Sequence, residues 1–315
     1  MELPVLLQGL EIIQDIYLFK LKKLNLFNGL KSLHKISYNT KMINDKLDIL
    51  IDKICRFMTT NTKKQIKGLI KKNNYDEISK LISADAALLK LKPDETRQDF
   101  ITSKIFNYLT DEGLIHDDFR IVDIGGGNGN VLSGLYKSIK ESNKDNFICV
   151  ETLTDWNETY AFDNRHLTYK FWDNNMIDIE DRSVDVVMCM VSLHHMNDDT
   201  IHNVFTNIRR ILRKNGILMI KEHDCSSKEV LELILWEHHL YHMLDCAYKN
   251  ERINTEEYLA TSINNFKSKL DWHTLLSEYN MTLVDRKNRF LEGNYVSNKD
   301  RKNVTELYWD IYRKD

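Results

Sequence analysis

Two groups of residues have the types and spacing that chemistry could use. The first is the run Ile121-Val122-Asp123-Ile124-Gly125-Gly126-Gly127-Asn128-Gly129-Asn130, where four residues of strand composition lead into a loop with four glycines. Glycine lets a backbone approach a ligand where a Cβ would collide, and a helix opening after such a loop aims its first N–H groups at that ligand. Glu151 ends the next apolar run, Phe147 to Val150, and an acid about 20 to 30 residues beyond a glycine loop can accept hydrogen bonds from both hydroxyls of a ribose. The dinucleotide fingerprint G-x-G-x-x-G is excluded, because counting from Gly125 it needs glycine at position 130, where the chain has Asn130. The second group sits at the exits of two later apolar runs. One run, Ser183 to Val191, delivers His194 and His195; the other, Ile217 to Ile220, delivers Lys221, Glu222, His223 and Asp224. Imidazole, with an ordinary pKa of about 6.5, suits proton removal near neutral pH.

The elements that must position these residues alternate in type. Val131, Leu132, Leu135 and Ile139 carry a helical stripe behind the glycine loop. Leu167 to Phe171 reads as a third strand, followed by Trp172, Asp173, Asn174, Asn175 and Met176. A helix is expected over Asp199–Leu212, with Arg209, Arg210, Arg213 and Lys214 at the dipole's negative end, and Asn215-Gly216 closing it before the fifth strand. Strand alternating with helix is the signature of a parallel sheet covered on both faces. Pro93-Asp94-Glu95 starts a helix carrying Phe100, Ile101, Ile105, Phe106 and Leu109 up to a stop at Gly113. Upstream, residues 1–92 read as helical: Ile43, Leu47, Leu50, Ile51, Ile54 and Met58 form one amphipathic stripe, with further helices over Lys64–Lys72 and Tyr75–Leu91. Downstream, one helix is expected over Lys228–Tyr248 and another from Asp271. Closing strands are expected at Met281–Val284 and Tyr295-Val296, with the aromatic ending Leu307–Tyr312 packing the sheet edge.

The pattern Asp-x-Gly-x-Gly-x-Gly from Asp123 to Gly129 resembles motif I of the class I S-adenosylmethionine-dependent methyltransferases, of the type 11 and 12 kind. Glu151 is a second match, the run from Asp185 to His195 a third, and Arg210-x-Leu212-x-x-Asn215-Gly216-x-Leu218-x-Ile220 a fourth; together they cover roughly residues 95–225. The resemblance implies a doubly wound, seven-stranded Rossmann-like α/β sheet over residues 93–315, with a helical N-terminal appendage over 1–92 and a helical lid insertion at about 226–270. It implies S-adenosylmethionine as cofactor. Asp123, Gly125, Gly126, Gly127, Asn128 and Gly129 would pass around its methionine part, Glu151 would hold the ribose, Asp173 and Asn174 the adenine, and Met190 would lie beside it. His194, His195 and His223 are the candidate bases for transfer to an oxygen or nitrogen nucleophile; alternatively, of His194 and His195 one packs the cofactor's methionine end while the other caps the following helix. Lys221, Glu222, Asp224, Trp236 and His239 are the candidate substrate contacts, with Asp224 alternatively capping the next helix.

Departures narrow the class. Lys221 matches one lysine of the Lys-Asp-Lys-Glu tetrad of RNA ribose methyltransferases, but Met190 stands where its acid belongs, and neither an Asn-Pro-Pro-Tyr stretch nor a paired-glutamate loop is present. His238 and His242 share a helix face at a spacing that can bind metal, yet no third ligand of matching spacing is evident, so no metal is expected. Residues 1–92 hold 17 Lys and Arg against 9 Asp and Glu, leaving −11 for residues 93–315 of a chain whose net charge is −3. This basic front end is either a solvated face or a contact for an anionic partner such as RNA. The five cysteines are scattered and lack a C-x-x-C pair, which suggests reduced thiols and a cytoplasmic setting. No window of about 18 uncharged apolar residues occurs, so no membrane span is expected. A small-molecule or RNA methyltransferase is therefore the expectation, with a non-catalytic, RNA-associated scaffold of the same fold as the rival.

Overall fold

In the computed structural model the apolar runs pair into a seven-stranded sheet of order β3-β2-β1-β4-β5-β7-β6. The structure describes residues 41–56, 58–89, 95–139, 144–152, 166–173, 175–249, 258, 265–284 and 307–315. Residues 1–40, Pro93, Asn174, Tyr295-Val296 and most of 250–264 lie outside them, with the expectations attached to them.

Strands β1 (Ile121–Ile124), β2 (Phe147–Thr152), β3 (Thr168–Trp172) and β4 (Val184–Met190) are parallel, with β1 paired on both sides. All four β1 residues are buried, as a central strand covered on both faces requires. Side chains alternate between two cores. Val122, Ile124, Val187 and Cys189 meet α6 (Asp198–Ile211) and α8 (Lys269–Ser277); Ile121, Val186 and Met188 meet α4 (Glu95–Asp111) and α5 (Asn130–Ser138). Helix α6 follows its periodicity closely, with Ile201, Val204, Phe205, Ile208 and Ile211 inward and the Asn197 side chain accepting from Thr200 N at its start. The sheet grows outward from β1 to β3 and then returns to β4 beside β1. That return makes a topological switch point, the place where open parallel sheets bind ligands at their carboxyl ends.

Two expectations need correction. Strand β5 (Leu212–His223) begins five residues early, since Leu212 pairs with Val184 before Arg213–Gly216 bulge out and pairing resumes at Ile217. Asn215 is left-handed there (φ 64°), so Asn-Gly shapes a bulge within the strand. The aromatic ending is not at the edge. Strand β7 (Leu307–Lys314) runs antiparallel between β5 and the three-residue β6 (Met281–Leu283), so Tyr308 and Tyr312 fill one core and Trp309 the other.

The N-terminal helices and the insertion form a single cap. Helices α1 (Lys41–Ile54), α2 (Thr60–Ile70) and α3 (Tyr75–Leu89) turn Leu47, Leu50, Ile51, Ile54, Ile66, Ile70, Ile78 and Ile82 onto Leu233, Trp236, Leu240, Met243 and Leu244 of α7 (Lys228–Lys249). Tyr75 stacks on Trp236 with centroids 4.9 Å apart, and Lys53 Nζ donates to Glu237 Oε1 across 2.7 Å. The burial of Leu240 gives a test. Leu240→Ala removes a side chain from the centre of this core and is expected to cost about 2–5 kcal/mol of cap stability. Limited proteolysis should then release residues 41–89 faster than in wild type while the sheet persists; unchanged cleavage would argue against the shared core.

Candidate functional site

The site is built where β1 and β4 end side by side. Gly125 (φ 70°) packs so closely on the β4 exit that a Cβ there would stand 2.6 Å from the Ser192 Cβ, and Ser192 Oγ donates to Ile124 O across 2.9 Å. Val191, a β-branched residue, is held left-handed (φ 60°) with its N–H donating to Lys221 O at 2.7 Å. Such a conformation persists only where its surroundings impose it. Gly127 (φ 60°) is different: a Cβ there would meet nothing within 4 Å, so this part of the loop borders open space. Its N–H donates to the Glu151 carboxylate. Helix α5 starts after Gly129 without a side-chain cap, and Tyr169 OH donates to Asn128 O at 2.9 Å, pinning the loop from β3.

Beneath the loop lies Asp123. It is 1% exposed, and its Oδ1 has no hydrogen-bond partner among the described residues. Burial pushes its carboxyl up to about 7. An ionised carboxylate without a partner is costly in such a place, so the group is suited to a cation arriving from outside the chain. A loop open at Gly127, a buried acid lacking a partner and a second acid at the adjacent strand tip fit a ligand carrying both a cation and a vicinal diol. Burial, with Asp123 and Glu151 adding to it, drives the Cys149 thiol well above its usual range, so it is not a nucleophile.

Beyond β4, a short 3-10 turn (Leu193–His195) places the two histidines differently. His194 is 0% exposed: its Nδ1 lies 2.6 Å from Glu222 Oε2, its Nε2 3.0 Å from His238 Nε2, and Phe266 stacks on its ring at 4.6 Å. Leu193 N donates to Glu222 Oε1 at 2.9 Å, and His238 Nδ1 meets Ile234 O at 2.8 Å. Burial raises Glu222 to about 7. Desolvation first, then His195 and His238, press His194 well below its usual value. Both shifts favour a neutral chain, in which Glu222 donates to His194, His194 to His238 and His238 to the Ile234 carbonyl. His195 is exposed, its ring 4.1 Å from that of His194.

Several expected site residues fall elsewhere. Both ring nitrogens of His194 are engaged, by Glu222 and His238. Glu222, 0% exposed, holds His194 and does not face a substrate. Trp236 and His239 are buried against Tyr75 in the cap. Asp224 accepts from Lys269 N, the first N–H of α8, at 2.8 Å, while Ser268 caps that helix and Ser227 accepts from Val230 N in the helix that follows Asp224. Lys221 is buried with its Nζ 5.1 Å from the Trp309 ring centre. His223 does join the cluster, 5.8 Å from His194 and 5.3 Å from His238 between ring centres, with Nε2 4.0 Å from Glu237 Oε2. Asp173 is exposed beyond β3 and bonded to Asn175, which lowers its pKa. Met190 is half-buried at the end of β4. Ser192, Asn265 and Phe266 went unread in the sequence. Asn265 N donates to His194 O at 2.8 Å from a segment far along the chain, and no local signal announces it.

Asp123 yields a pH test. The folded carboxyl binds its proton more tightly than an unfolded one, so its contribution to stability is complete below about pH 4 and is lost as pH rises through about 7. Asp123→Asn is expected to remove that loss. In ligand-free protein the variant's advantage should grow by up to ~1.4 kcal/mol per pH unit between those limits, read by thermal melts; an advantage independent of pH contradicts the burial cost.

Comparison with known proteins bears on the same segment. Residues 121–216, from the glycine loop through the β5 bulge, match a family model described as a methyltransferase domain. A search of curated proteins found no match. Among solved structures, an S-adenosylmethionine-dependent methyltransferase from Aquifex aeolicus is 14% identical, with 70% of this chain and 94% of that one covered and a TM-score of 0.42. The carbon methyltransferase DszA is 14% identical over 78% of this chain and 59% of that one, at 0.44. At these values the likenesses say nothing about substrate. The family match and the sheet order agree: the chain has the class I, Rossmann-like fold of the S-adenosylmethionine-dependent methyltransferases.

Proposed function

We propose that the chain binds S-adenosylmethionine across the β1/β4 switch point and directs its methyl group to an oxygen or nitrogen nucleophile. The observation that carries this reading is the buried Asp123 carboxylate, with one oxygen lacking a partner, beneath a glycine loop open at Gly127. Glu151 would accept from the ribose hydroxyls while keeping the Gly127 N–H, since a carboxylate has about four lone-pair sites. Asp173, beyond β3, would take the adenine amino group. The cofactor supplies a methyl already activated by its sulfonium, so alignment matters more than acid–base help. What proton removal is needed falls to His195, the exposed imidazole of the cluster.

The acceptor is a small molecule or RNA. Of the basic front end, Lys53 pairs with Glu237 of α7, whereas Lys63 and Lys67 pair with Asp52 and Asp48 of the same front end, so its excess of positive charge falls by one. A second reading, a scaffold that binds cofactor without turnover, has one observation in its favour: His194 is sealed away from solvent and engaged at both nitrogens.

Calorimetry separates these readings. S-adenosylmethionine and S-adenosylhomocysteine should bind one per chain and NAD should not, and Glu151→Ala should weaken binding at least tenfold, the scale of a charge-assisted hydrogen bond. Labelled-methyl transfer into metabolite pools, capped RNA and protein then tests turnover, which His195→Ala should slow. Cofactor binding without transfer to any pool would support the scaffold; binding of NAD alone would end the methyltransferase reading.

A further inference from the structure

His194, His195 and His238 bring three imidazoles together, their ligand nitrogens all within 4.8 Å of one another. We propose that this cluster is a metal site for a divalent cation that prefers nitrogen ligands, zinc(II) first, with an open coordination position toward solvent on the His195 side. The inference goes beyond methyl transfer; with a cation bound, His195 is a ligand, and its role as base belongs to the metal-free state.

His194 Nε2 and His238 Nε2 face each other across 3.0 Å. Two nitrogens at zinc's usual bond length, 90 to 120° apart, would stand about 3.3 Å from each other, so a cation needs only a slight parting of the rings. Each ring is held from behind by the partner that metal-binding histidines use: the distal nitrogen of His194 meets the Glu222 carboxyl at 2.6 Å, and that of His238 meets the Ile234 carbonyl at 2.8 Å. With a cation bound, the proton shared with Glu222 resides on His194 Nδ1 and both Nε2 lone pairs point at the metal. Glu222 is itself fixed by Leu193 N, and Phe266 covers the His194 ring, so two of the three ligands are preset. His195 lies exposed beside them and closes the set by a side-chain rotation. Three protein ligands with one position open is the arrangement of sites that bind a further molecule.

The cluster replaces the pairing expected from helical spacing. His242 turns away from His238, stacking on Tyr258 at 3.9 Å and approaching Cys246 Sγ at 3.7 Å. The cluster's members come instead from the β4 exit and α7, so sequence spacing could not reveal them.

The test uses the untagged full-length chain, dialysed against chelator and titrated with zinc(II), cobalt(II) and magnesium(II). One zinc per chain is expected by elemental analysis, with visible bands of low-coordinate cobalt(II) and no magnesium binding, since magnesium requires oxygen ligands. His195→Ala changes an exposed residue and is expected to fold; it and His238→Ala should each lower zinc affinity at least tenfold. Glu222→Gln should cost 10- to 100-fold by loosening His194, and His242→Ala should leave affinity unchanged. Absence of stoichiometric zinc, equal affinity in folded His195→Ala, or loss of binding in His242→Ala would overturn the proposal.

Discussion

The carboxyl edge of the sheet buries three acids, Asp123, Glu151 and Glu222, and the rest of the site follows from how each is compensated. Burying a carboxylate is unfavourable unless hydrogen bonds or a counter-charge replace the lost water. Glu222 is answered within the chain, by Leu193 N and His194. Glu151 is answered by Gly127 N, which ties the glycine loop to the tip of β2. Asp123 Oδ1 is answered by nothing among the described residues, and the other oxygen of the carboxylate lies against Gly126 of the loop. The same edge is thus self-contained on one side of β4 and awaiting a charge on the other.

That division explains the shape of the loop regions. Gly125 must lack a side chain because Ser192 occupies the space, and this contact brings the β4 exit against the loop. The left-handed Val191 then turns the chain so that Leu193–His195 lies over Glu222. The helical cap joins the same chemistry: α7 carries His238 to His194 on one side and buries Trp236 and Leu240 against α1–α3 on the other. Lys53, through Glu237, extends this connection from the N-terminal helices to within 4.0 Å of His223.

Much of the fold was legible in the residues because the signals are local. The glycine loop, the unbroken apolar run of β4 and the stripe of α6 each state their own structure. What escaped was set by distant contacts. Nothing in Leu307–Tyr312 reveals that β7 inserts antiparallel inside β6, and Asn215-Gly216 reads as a stop although Leu212 already pairs with Val184. Helix α7 has buried residues on most of its circumference, among them Val230, Ile234, Trp236, His239 and Met243, so periodicity alone could not assign Trp236 and His239 to the cap and His238 to the site. The buried Glu222 looked like a substrate contact for a related reason: a polar residue at a strand exit reads alike whether it faces solvent or a histidine.

The partnerless acid is where this account is most exposed. Its direct measure is the titration of the Asp123 side-chain carboxyl by carbon-13 NMR, with and without saturating S-adenosylmethionine. In free protein the carboxyl should titrate near 7, and the bound cation should draw it down by at least one unit. An ordinary carboxylate titration in the free protein, or one that the ligand leaves unmoved, would contradict the assignment of this edge to a cationic cofactor.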